Sequence, residues 1–248
     1  MATTDELIPA LKRLKLSGVL HSLRLRIDQA VEDNLGHEEF LYHLLNDEVE
    51  RREAKQLDMR LRRAAFDGHK TLEDFDFSFN PSIPKAKVID LATCTFIGRQ
   101  ENIVLVGPTG VGKSHIAQAI GHRACREGYS TLYMPAHKLL GQLRAGRGDS
   151  TYDRRLARFT NVNLLVIDDL GLHALKYDEP GDLYEIIRLR YERGSTIITS
   201  NRDVQEWYPL FGDALLASAA MDRLLHHSQV LVMDGHSHRN PPVKRQAA

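Results

Sequence analysis

Cysteine is nearly missing from this chain of 248 residues, where Cys94 and Cys125 stand alone in unrelated positions. That excludes a disulfide framework and a cysteine-based zinc site, and it suits a reducing compartment. Charge of either sign is not in excess. Lys+Arg and Asp+Glu each number 33, so the formal net charge is zero. Global charge therefore says nothing for or against nucleic acid, and only local clustering can. No apolar run approaches the ~20 residues that span a bilayer. The start, Met-Ala-Thr-Thr-Asp-Glu, has neither a basic region nor an apolar signal core. A soluble, cytoplasmic protein with no membrane partner is expected.

Against these absences stands one dense motif. Gly107-Pro108-Thr109-Gly110-Val111-Gly112-Lys113-Ser114 fits G-x-x-x-x-G-K-[ST], the phosphate-binding loop of nucleoside triphosphatases. Before it, Asn102–Val106 is a short β-branched run that reads as a buried strand; after it, His115–Arg126 reads as a helix. The motif thus has the strand–loop–helix setting it needs. Its glycines let backbone N–H groups close around phosphate oxygens, helped by the dipole of the helix N-terminus. Lys113 is assigned to the β- and γ-phosphates of ATP, and Ser114 to Mg²⁺. His115 completes the loop's candidate binding set.

Residues 1–66 read as helical, with apolar stripes at Leu7, Leu11 and Leu14, a break at Ser17-Gly18, a second segment through Val31, and a third from His37. Charges of both signs crowd the far half of the third, Glu48 and Arg52 among them. Two readings stay open: a small bundle with a solvated charged face, or a module that docks or contacts DNA. A linker, 67–87, follows, punctuated by Pro81 and Pro84. Its alternating Phe75, Phe77 and Phe79 can pack beside a nucleotide base or pin the linker to the core. Over 88–239, strands at Asn102–Val106, Thr131–Met134, Leu164–Ile167, Ser195–Thr199 and Val230–Met233 alternate with helices. This predicts an α/β fold, a parallel sheet covered on both faces with its site at the strands' carboxyl ends. Residues 240–248 read as a flexible tail.

The third of these strands ends in Asp168-Asp169, 55 residues beyond Lys113. Asp168 is the candidate Mg²⁺ carboxylate and Asp169 the candidate general base for the attacking water. Gly171 allows a sharp turn. The next strand ends in Asn201, whose amide can orient water against a γ-phosphate. The segment Lys138–Arg158 is basic, with Lys138, Arg144, Arg147, Arg154, Arg155 and Arg158 against Asp149 and Asp153, and it is the candidate DNA-contacting surface. His226-His227 and His236/His238 read as surface histidines without acids at metal-ligand spacing.

Several motifs together resemble a family. Asp168-Asp169, Ser200-Asn201 and Met221-Asp222-Arg223-Leu224 look like the AAA+ ATPases of the initiator and helicase-loader clade. Leu14-Lys15-Leu16-Ser17-Gly18, Glu39-Phe40-Leu41, Gly112-Lys113-Ser114-His115-Ile116-Ala117 and Tyr191 to Asn201 are similar to the IstB-type helper ATPases of insertion-sequence transposons. The resemblance runs from about residue 4 to residue 239. It implies a three-layer αβα phosphate-loop AAA+ core behind a small all-helical domain, and ATP hydrolysis with Asn201 as sensor. Arg223 would be an arginine finger for a neighbouring subunit, and Arg239 a second sensor arginine. Only 47 residues follow Asn201, so no C-terminal helical lid is expected, and ATP-dependent homo-oligomers follow from that. The implied partners are double-stranded DNA and a DDE-type transposase. The alternatives are a DnaC-like helicase loader that prefers single strands, and a nucleotide-gated scaffold with little turnover.

Overall fold

The computed structural model describes residues 4–238, which fall into two compact units, one ending at Met59 and one beginning at Arg60. Arg239 and the tail 240–248 lie outside the described residues.

The first unit contains α1 (Thr4–Arg13), α2 (Ser17–Glu32) and most of α3 (His37–Ala64). Val19, Leu23 and Leu44 are buried together, with Leu11, Leu16, Ile27 and Phe40 packed around them. The chain turns at 14–16, so Ser17 opens α2 rather than breaking a helix. None of α2's own side chains caps its N-terminus. Glu48 of α3 does so: its Oε2 accepts from the Gly18 N–H at 2.5 Å and the Val19 N–H at 3.3 Å. Gly18 is required by that approach, because a Cβ there would lie 2.6 Å from the Glu48 Cα. Glu48 is therefore not on a solvated face; it is 5 % exposed and held by Arg52 at 2.7 Å.

The second unit is built on five parallel strands, β1 (Asn102–Val106), β2 (Thr131–Pro135), β3 (Leu164–Asp168), β4 (Ser195–Ser200) and β5 (Ser228–Val232), in the order β2-β3-β4-β1-β5. Alternate strand residues face opposite sides, and two buried clusters result. Ile103, Leu105, Tyr133, Val166 and Ile197 pack beneath α4 (Lys85–Leu91), α5 (Thr95–Gly98) and α6 (Lys113–Arg126). Val104, Val106, Leu165, Ile167 and Ile198 pack against α7 (Ala136–Gly148), α8 (Tyr152–Thr160), α9 (Glu179–Arg190) and α10 (Ala214–His226). Each fully buried aliphatic side chain contributes roughly 1.5–3 kcal/mol. The result is the three-layer αβα sandwich that strand–helix alternation predicts.

The sole tryptophan, Trp207, lies in a 3₁₀ helix, Val204–Phe211, that the periodicity did not reveal. Its indole N–H donates to Ser200 Oγ at 3.2 Å and so anchors the end of β4. No helix follows β5 among the described residues.

Candidate nucleotide site

The strand order makes the site. Starting from β1, the chain runs to the far edge at β2 and returns through β3 and β4, so β4 lies between β1 and β3. The carboxyl ends of these three strands converge, the usual ligand position in open α/β sheets. The loop after β1, the acids after β3 and Asn201 after β4 all meet there. The loop, the second of the two acids and the amide line a cleft of about 490 Å³, with Thr109 to His115, Asp169 and Asn201 on its walls.

Three loop glycines take left-handed φ values: Gly107 at 146°, Gly110 at 87° and Gly112 at 105°. Crowding adds to this. A Cβ on Gly107 would lie 1.9 Å from the Met233 carbonyl oxygen, and one on Gly112 would lie 2.6 Å from the Phe75 ring. Lys113 is 4 % exposed. Its ammonium donates to the carbonyls of Gly107 and Pro108, both at 2.7 Å, and to Asn201 Oδ1 at 2.6 Å. The lysine and the sensor-position amide, 88 residues apart, are thus in direct contact.

The two acids sit in different surroundings. Asp168 is 4 % exposed and does not itself line the cleft. Its Oδ2 accepts from the Tyr133 hydroxyl at 2.6 Å and its Oδ1 from Thr199 at 2.5 Å. Burial and this bond to a carboxylate push the Tyr133 phenol well above its ordinary pKa. Asp169 does face the cleft, from a left-handed turn at φ 56°. Thr199 accepts its N–H at 2.9 Å. Gly171, at φ 78°, completes the turn, and Arg202 donates to its carbonyl at 2.7 Å. Spacing did not identify Tyr133 and Thr199; both act on the acids from neighbouring strands.

The linker forms the other wall. Lys70, Asp74, Phe75 and Phe79 line the cleft together with His238. Phe75 and Phe77 pack on the core, so Phe75 both pins the linker and faces the cleft, Phe77 only pins it and Phe79 only faces the cleft. His115 holds this wall: its Nε2 lies 2.7 Å from the Thr71 carbonyl oxygen and its ring 5.2 Å from that of Phe75.

Arg223 does not line the cleft. It lies on α10, bonded to the Ala219 carbonyl at 2.9 Å, with its guanidinium 5.7 Å from the Tyr184 ring centroid. The basic segment splits into two groups. Arg147 forks onto buried Asp182 at 2.7 and 2.6 Å and stacks on Tyr152. Arg155 bonds Asp149 at 2.6 Å and the Gln142 carbonyl at 3.0 Å, and Arg144 pairs with Glu179 at 3.1 Å. Lys138, Arg154 and Arg158 are exposed with no ion pair among the described residues. The histidines are more engaged than a plain surface role implies. His226 meets the Tyr191 hydroxyl at 2.8 Å, and His227 lies 3.8 Å from Glu192, an acid that sequence spacing did not bring near.

A phosphate loop after β1, paired acids after β3 and a polar amide after β4, on a sheet of this order, define an AAA+ nucleotide-binding fold. Solved structures bear this out. DnaI superposes with a TM-score of 0.59 at 24% identity, covering 67% of this chain and 92% of that one. The AMPPCP-bound DnaA of Aquifex aeolicus superposes with a TM-score of 0.57 at 22% identity, covering 68% and 51%. Within that class, residues 9–247 match the model of the IstB-like ATP binding proteins, and the chain belongs to that family. An insertion-sequence ATP-binding protein of Mycobacterium tuberculosis is 40% identical over 95% of this chain and 94% of its own length. The insertion sequence IS21 ATP-binding protein of Pseudomonas aeruginosa is 36% identical over 94% and 88%. No helix among the described residues is long and apolar enough to cross a membrane.

Proposed function

We propose that this protein is an ATP-dependent helper of insertion-sequence transposition, which assembles on duplex DNA and recruits and stimulates a DDE-type transposase. The observation that carries the reading is the cleft at β1, β3 and β4 in a chain of this family, with Arg223 outside it. Among the described residues, the phosphate loop, Lys113, Asp169 and Asn201 line the cleft and no arginine does.

The positive-φ glycines give the loop the left-handed turns with which backbone N–H groups cradle a triphosphate, and a side chain at Gly107, Gly110 or Gly112 would collide with Met233, Ser237 or Phe75. Ser114 on the cleft and Asp168 at the end of β3 are hard oxygen donors, and this pair suits Mg²⁺. Held there, the ion would supply positive charge to offset that of the phosphates. Lys113 would exchange its carbonyl partners for phosphate oxygens. Asp169 would take the proton of the attacking water, and Asn201 would orient that water. Tyr133 and Thr199 fix the Asp168 carboxylate. Arg223 acts on a neighbouring subunit's nucleotide, so hydrolysis and ATP-dependent oligomerisation go together. Lys138, Arg154 and Arg158 contact DNA phosphates.

The test is ATP turnover and light-scattering mass with duplex or single-stranded DNA. Stimulation and assembly on duplex are expected. Lys113→Ala should lose both, and Arg223→Ala should keep ATP binding but lose turnover. Strong single-strand preference without duplex stimulation would favour a helicase-loader role instead.

A further inference from the structure

Residues 71–82, ahead of β1, and 233–238, after β5, come from opposite ends of the second unit, and both border the phosphate loop. The Met233 N–H donates to the Val106 carbonyl at 2.8 Å, and the His238 N–H donates to the Gly110 carbonyl at 3.0 Å. On the other side, Phe75 lies over Gly112 and His115 holds Thr71. What joins the two segments is Asn80. It is 4 % exposed, its Oδ1 accepts from the His236 N–H at 3.0 Å, and its Nδ2 donates to the His236 carbonyl at 3.1 Å. Ser82 adds a bond to the Asp234 carbonyl at 2.7 Å, and the Phe79 and His238 rings meet edge to face at 4.8 Å.

This pairing needs an amide. A carboxylate keeps the acceptor but loses the donor, and a serine cannot span both backbone groups. Gly235 is shaped to it as well: φ is 129°, and a Cβ there would lie 2.4 Å from Asn80 Oδ1. We propose that Asn80 is a positioning residue of the nucleotide site. It clamps the two segments into a wall for the base and ribose of a nucleotide whose phosphates lie on Gly107–Ser114. The inference rests on the nucleotide reading of the cleft above.

Calorimetric titration of the full chain with ATP, ADP and inorganic tripolyphosphate tests it. Asn80→Ala should weaken ATP and ADP roughly tenfold, as expected for two buried hydrogen bonds, while tripolyphosphate affinity stays within about twofold. Gly235→Ala, which pushes on the clamp with Asn80 intact, should do the same, and Asn80→Asp should fall between. If Asn80→Ala does not fold, Gly235→Ala and Ser82→Ala carry the measurement. Unchanged ATP affinity in these variants, or equal losses for ATP and tripolyphosphate, would overturn the clamp. Wild-type protein that binds neither ligand would overturn the nucleotide reading itself.

Discussion

Thr199 offers the sharpest test of how the acids are held. Its hydroxyl donates to Asp168 at 2.5 Å and accepts the Asp169 N–H at 2.9 Å. It is wholly buried. Thr199→Val keeps shape and volume, so no cavity term enters, and the change removes two hydrogen bonds. The bond to a carboxylate is worth about 1.5–3 kcal/mol, and an amide left without its partner costs about 1–3. Together the loss is roughly 2.5–6 kcal/mol. With a urea slope of about 2 kcal/mol/M, the unfolding midpoint of the second unit should fall by roughly 1–3 M. Turnover should fall further than stability alone explains, because the Asp169 turn at φ 56° loses its anchor. Thr199→Ser keeps both bonds and should recover most of the effect. A Val variant within about 0.5 kcal/mol of wild type, or a Ser variant as damaged as the Val one, would refute the reasoning.

Arg190 is 2 % exposed and donates to the carbonyls of Phe159, Val162 and Ser195 and to Thr196 Oγ1, with burial pulling its pKa down to about 10. Arg190→Met should cost roughly 3–5 kcal/mol in denaturant melts by stranding those acceptors. In the helical unit, Asp47 accepts a forked bond from Arg26 at 2.8 and 2.6 Å, which lowers its pKa to about 2. Because the folded pKa is depressed, this stabilisation is full above about pH 4 and is lost as pH falls toward 2. Asp47→Asn should remove about 1 kcal/mol after solvent screening and flatten the acid limb followed by hydrogen exchange in α2. Replacing Lys138, Arg154 and Arg158 together by Gln should weaken duplex binding and reduce the salt slope by up to about 3. Arg147→Gln should instead lower stability.

Most of the cleft was legible because its signals are local. The phosphate loop, the apolar run into Asp168-Asp169 and the strand leading to Asn201 each declare themselves within a few residues, and the strand order then sets them at the carboxyl ends of the neighbouring strands β3, β4 and β1. What remained hidden depends on distant pairs. Tyr133 reaches Asp168 across 35 residues, Asn80 reaches His236 across 156, and Glu48 caps a helix that begins 31 residues earlier. None of these side chains carries a spacing signal. The 3₁₀ helix at Trp207 has no periodicity to read, since its apolar residues follow a short turn pattern.

The basic segment makes the same point with charge. Six cations between Lys138 and Arg158 read as one patch, but composition cannot tell a cation aimed at a buried acid from one aimed at water. Asp182 is wholly buried and accepts Arg147 on both oxygens and the Tyr152 hydroxyl at 2.7 Å. That network fastens α7 and α8 to α9, and Arg190 reinforces it through the carbonyls that close α8. The internally paired arginines thus make the platform rigid, and Lys138, Arg154 and Arg158 project from it. Fewer cations than the sequence suggests face outward, but they stand on helices whose placement is fixed by buried bonds.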